Sequence, residues 1–184
     1  MSFSDHIFEK YAIVCKVIDA CGTLSGRKKF HKIMYICKES NYPIHETFKW
    51  ATYGVYSSEL SGEIESLQSS GFVNEIQSKN SSYTTYDYTI SDDGKVFLDK
   101  MKEDLLQNCD GELSDRFLSL VKRLNQCSSR DLELFSSIMF LSKDDEEQED
   151  LISFLEYLKP KYLRNEIVEG IAAVGKLKSE FDIT

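Results

Sequence analysis

Proline, histidine and paired cysteine are scarce in this chain. It has two prolines, three histidines and no C-x-x-C pair, which leaves little basis for a metal-stapled or disulfide-bonded fold. His6, His31 and His45 stand at none of the spacings that bring two imidazoles to one metal from a single helix. The five cysteines (Cys15, Cys21, Cys37, Cys109, Cys127) are odd in number, and three of them lie inside helical patterns. Free buried thiols are therefore expected, and a metal is not. No Walker loop, G-x-S-x-G turn or G-x-G-x-x-G turn occurs, and the carboxylates of 144–150 run on continuously instead of alternating as calcium ligands do. No catalytic residue, enzymatic activity or cofactor is expected, and His31 reads as a surface polar group. Apolar runs are short, and Met1–His6 has neither the basic nor the apolar part of a signal peptide. These features predict a cytoplasmic chain without a membrane partner.

Charge is abundant and unevenly placed. The chain carries a net −9, but residues 1–50 carry +3, residues 51–110 carry −7 and residues 111–184 carry −5. The basic excess centres on Gly26–Lys38. There Phe30, Ile33, Met34 and Cys37 repeat at i, i+3, i+4 and i+7 as a core stripe, and Lys28, His31, Lys32 and Tyr35 fall on the opposite, solvated face. Replacing Lys28, Lys29 and Lys32 with glutamate is accordingly expected to leave the fold intact.

Along the chain, Phe8, Tyr11, Ala12, Cys15 and Ile18 predict a helix over about 5–21, closed by Gly22. The basic helix follows and ends at Asn41-Tyr42-Pro43. His45–Tyr53, rich in aromatic and β-branched residues, predicts one strand ended by Gly54. Ser57 or Ser58 caps a helix with Leu60, Ile64 and Leu67 inward and Gly71 at its end. Phe72–Ser78 and the alternating Tyr86, Tyr88 and Ile90 form a hairpin around the tip 79–82. A helix with Val96, Phe97, Met101 and Leu105 comes next. Four further helical stripes follow: Leu113–Leu124, Leu132–Met139 with a capping box at Ser128 and Asp131, Leu151–Leu158 after the acidic run, and Ile167–Leu177 after Pro160.

Leu24–Tyr35, Tyr53–Leu60, Gly71-Phe72-Val73 and Tyr88–Gly94 together resemble the YwgA-like family of bacterial proteins, with a looser similarity to the Panacea (SocA-like) antitoxin domain. The resemblance covers residues 5–100 and extends to Leu158-Lys159-Pro160-Lys161-Tyr162. Val55 stands where the family pattern has proline. The resemblance implies a winged-helix-like fold and a regulatory or interaction role, and it supplies no catalytic residues. The expected fold is α+β and mostly helical. It has a winged-helix-like unit over 1–108, with the hairpin as wing, and a helical unit over 109–184 that packs on it or mediates a homodimer.

Two functions from different classes fit these features. A DNA-binding transcriptional regulator would use Arg27, Lys28, Lys29, Lys32 and wing residue Lys79 on phosphates. The helix before the wing has no lysine or arginine to enter a groove. An antitoxin-like or defence-system interaction module would engage a basic protein partner through Glu59, Glu63 and Glu65.

Overall fold

The chain opens with α1 (Phe3–Cys21), β1 (Leu24–Ser25), α2 (Arg27–Glu39), β2 (Lys49–Ala51), β3 (Gly54–Tyr56) and α3 (Ser58–Ser69). β4 (Val73–Lys79), β5 (Thr84–Ile90) and α4 (Asp92–Gln107) follow. The remainder is α5 (Gly111–Asn125), α6 (Ser129–Leu141), α7 (Gln148–Leu158) and α8 (Arg164–Phe181). This computed structural model describes the backbone of residues 3–79, 84–107, 111–142, 148–181 and 183, and the side chains of these except 3–6, 102–107 and 111–114. Residues 80–82 of the predicted hairpin tip, the boundary at 108/109, Cys109 and most of the acidic run lie outside the described residues.

The fold is α+β and mostly helical, as the periodicities predicted. β4 and β5 pair antiparallel from Val73↔Ile90 to Lys79↔Thr84, and β1 adds to the other edge of β5 through Leu24↔Tyr88. The resulting sheet has the order β1-β5-β4, with α1, α2 and α3 interleaved along the chain. β1, two residues long, is too short to show a period. Its Leu24 is fully buried beneath the sheet's partner helices. Gly94 sets the approach of α4 to this sheet, because a Cβ there would meet Phe72 O at 2.2 Å. The expected capping box is present: Asp131 N–H donates to Ser128 Oγ, and Ser128 N–H donates to Asp131 Oδ2.

The predicted strand over 45–53 is replaced by a small β2–β3 hairpin paired Lys49↔Tyr56 to Ala51↔Gly54. Gly54 opens the returning strand instead of ending the first, with φ 82°. That left-handed conformation suits glycine and reverses the chain within two residues.

α2 departs most from expectation. Its predicted stripe Phe30, Ile33, Met34 and Cys37 is buried, but so are His31, Lys32, Tyr35 and Ile36. The face taken as solvated is covered by β3 and α6: Tyr35 packs against Phe48 and Phe140 at centroid separations of 5.4 and 6.0 Å. α2 is thus a central helix, enclosed by α5, α6 and the two small sheets. Among the described residues no helix is long and apolar enough to cross a membrane. The described cysteines, Cys15, Cys21, Cys37 and Cys127, are free, and burial pushes the thiols of Cys15 and Cys21 up to about 12.

Candidate functional site

The five basic residues predicted to face phosphates do not form one surface. Arg27 lies over the Tyr86 ring at 4.1 Å and donates to Tyr88 OH at 2.9 Å and Glu75 Oε2 at 3.0 Å, which ties the start of α2 to the β4–β5 hairpin. Lys29 points to the opposite side and donates to Asn125 O at the end of α5 (2.5 Å). Lys79 is exposed at the end of β4. Lys28 and Lys32 turn together toward β3 and α6.

There they meet residues that the sequence pattern did not single out. Lys32, 3% exposed, donates to the Val55 carbonyl, and Lys159, 6% exposed, donates to Glu133 Oε1 at 2.7 Å. Both ammonium groups crowd Gly54, where a Cβ would lie 3.1 Å from Lys159 Nζ and 3.7 Å from Lys32 Nζ. The glycine therefore serves both the turn and the lysines' approach. Lys28 rests on the Tyr53 ring at 3.3 Å, and Arg130 stacks on Tyr162 at 4.2 Å while pairing with Glu166 at 3.0 Å. Lys28, Lys32, Arg130, Glu133, Lys159 and Lys161, with Tyr53 and Tyr162, line a pocket of about 540 Å³ between α2, the β2–β3 turn, α6 and the α7–α8 connection.

Electrostatically the pocket has too little negative charge. Burial pulls the Lys32 ammonium down to about 8; Glu133 opposes this, and Lys159 and Lys28 add to it. A fall from 10.5 to about 8 corresponds to roughly 3 kcal/mol against the charged form, so the Val55 carbonyl and Glu133 recover only part of the desolvation cost. Immediately before Lys32 in α2, His31 is held neutral. Its Nδ1 accepts from Ser57 N–H at 3.3 Å, its Nε2 faces Ser61 Oγ at 3.3 Å, and burial lowers its pKa to about 4. Far from being a surface group, His31 fastens α2 to the cap of α3, where Ser57 Oγ accepts from Leu60 N–H.

The acidic residues of α3 are also not equivalent. Glu65 is exposed. Glu59 accepts from Thr47 N–H at 3.2 Å, and that bond is the main cause of a carboxyl pKa below its ordinary value. Glu63, expected on the surface, is 11% exposed and lies 3.6 Å from Lys10, which also approaches Glu59 and the buried Glu46. One ammonium shared by three carboxylates does not compensate for burial, so desolvation first and the Glu46 charge second raise the Glu63 carboxyl well above the carboxylate range. Among the described residues no group of three His, Cys, Asp or Glu could hold a metal ion.

Lys10, Arg130, Glu133 and Lys161 were missed because each lies alone in its own helical or connecting pattern. The one hint was the pair Lys159 and Lys161 flanking Pro160, inside the short C-terminal stretch that carried part of the family resemblance. No known family profile matches the chain. It is 32% identical over 173 residues to the "Uncharacterized protein YwgA" of Bacillus subtilis (strain 168), an alignment spanning 94% of this chain and 98% of that relative. Similarity at that level along nearly the whole of both chains bears out the resemblance to that group of bacterial proteins, and the chain belongs to the YwgA family.

Proposed function

We propose that this protein is a non-enzymatic regulatory module that docks a basic protein partner on the α3 side instead of reading DNA. The observation that carries the reading is how the cations of α2 are used. Arg27, Lys29 and Lys32 are engaged by Glu75, Asn125 and Val55 of the same chain. α3, which would enter a major groove in a DNA-binding winged helix, presents Glu59 and Glu65 and has no lysine or arginine. Carboxylates in that position repel phosphates, and no bidentate reader of guanine is available. Toward a basic protein the same charges accelerate encounter. An antitoxin-like or defence-system role is the form of this reading in which the partner is a basic effector.

The test is affinity capture from the native host with the wild type, with Glu59→Lys/Glu65→Lys, and with Glu169→Lys/Glu180→Lys at exposed positions of α8 as a charge-matched control. The expected result is a basic protein retained by the wild type and the control and lost by the α3 variant. Selection on genomic fragments at low salt provides the opposing arm. Enriched DNA whose affinity falls steeply with salt, and which Glu59→Lys/Glu65→Lys binds more tightly, would replace this reading with the DNA-binding one.

A further inference from the structure

We propose that the pocket between α2, the β2–β3 turn and α6 binds a small molecule through its phosphate group. The inference is independent of the partner on α3. Two ammonium groups, those of Lys32 and Lys159, are almost wholly removed from water at one point of the pocket wall. Glu133 is the carboxylate paired there. Lys28 and Lys161 add positive charge at the lining, while Arg130 is balanced by Glu166. Cations buried in excess of anions are costly unless a further anion completes the set. A phosphate group fits this excess better than a single carboxylate, since it brings up to two negative charges and three acceptor oxygens to donors fixed on different elements.

Size and lining limit the rest of the molecule. A pocket of about 540 Å³ accommodates a mononucleotide-sized ligand, and Gly54, next to Lys32 and Lys159, lets the two lysines approach without a side chain between them. Tyr53 is 57% exposed at the lining, with Lys28 at 3.3 Å from its ring, and offers a flat apolar surface beside the cations. A polymer backbone would need a run of exposed cations leading outward, and Arg27 and Lys29 instead turn away to Glu75 and Asn125.

Trp50 is the chain's one tryptophan, and Lys159 Nζ lies 5.1 Å from its ring, so a ligand that draws on Lys159 changes tryptophan emission. Full-length protein is titrated at low salt with inorganic pyrophosphate, adenosine monophosphate, adenosine, and a 5′-phosphorylated twelve-nucleotide strand, following this emission. Pyrophosphate and the monophosphate are expected to saturate competitively at or below about 1 mM, with adenosine silent. Lys28→Ala, an exposed position that does not threaten the fold, is expected to weaken both at least about fivefold, and Glu133→Gln, which removes the competing carboxylate, to tighten both by a similar factor. The proposal is overturned if neither phosphate compound gives a saturable change up to about 10 mM, if both variants leave half-saturation within about twofold of the wild type, or if the oligonucleotide binds more tightly than the monophosphate.

Discussion

Helices α2 and α3 are nearly equal in length, 13 and 12 residues, and both are amphipathic in sequence with charge on the polar side. In α2 that side is enclosed by β3 and α6, and eight successive residues from Phe30 to Cys37 are buried. In α3 the buried residues are Leu60, Ile64 and Leu67, one narrow stripe, and the charged side remains accessible at Glu59 and Glu65. Side-chain length explains part of the difference. A lysine lays its aliphatic stem through apolar packing and still carries its ammonium to a carbonyl such as that of Val55. A glutamate drawn inward has less reach and meets other carboxylates, as Glu63 meets Glu46, so burial favours its neutral form.

The largest effect that would test this contrast is at Lys32. Lys32→Glu removes the donor to the Val55 carbonyl and turns a shorter carboxylate toward that carbonyl, which the neighbouring Lys159 offsets only in part, and chemical denaturation is expected to show a loss of about 4 kcal/mol or outright unfolding. Because Lys32 is buried, replacing Lys28, Lys29 and Lys32 together is therefore also expected to destabilise the fold, where the reading of one solvated face expected it to stay intact. If Lys32→Glu were as stable as the wild type, the enclosure of α2 would be refuted.

The next effect is a pH dependence at His31. Its folded pKa, about 4, lies below the ordinary 6.5, so its contribution to stability is complete above 6.5 and lost as pH falls toward 4. The loss across that window is expected to reach about 3 kcal/mol, and His31→Gln, which keeps an acceptor and a donor but does not titrate, should flatten the pH profile. Glu63 has the opposite sign. Its raised folded pKa makes its contribution complete below the unfolded value of 4.5 and progressively lost as pH rises toward the folded value. Glu63→Gln should thus remove a loss of about 1 kcal/mol between mildly acidic and neutral pH. Equal profiles for Glu63→Gln and the wild type would place Glu63 with the solvated Glu65. The smallest effect is expected at Glu65 itself, where Glu65→Lys should change stability by no more than about 0.5 kcal/mol while abolishing capture of a basic partner.

Much of the local structure was legible in the residues. The apolar spacings located the helices, the Ser128–Asp131 pair marked the start of α6, and the alternation of Tyr86, Tyr88 and Ile90 gave the returning strand of the β4–β5 hairpin. Legibility failed where an element is too short to repeat, as for β1, or where a single glycine decides between continuing and reversing a strand, as Gly54 does between β2 and β3. Of the pocket, Lys28 and Lys32 were singled out in sequence, but as readers of nucleic acid. Lys159, Glu133 and Arg130 come from helices and a turn more than ninety residues away along the chain, and no spacing rule connects them.

By itself, then, the sequence determined the periodic part of the protein: mostly helical elements, a β-hairpin, and an acidic helix preceding it without a cation to offer DNA. These follow from interactions between near neighbours, which a one-dimensional pattern records. Only the tertiary structure decided which polar side chains are solvated. When α6 and β3 close over α2, they convert His31 and Lys32 from an apparent surface into buried groups, and they bring Lys159 to the same glycine as Lys32. Burial and charge pairing depend on what packs against a face, and that depends on contacts between residues far apart in the chain.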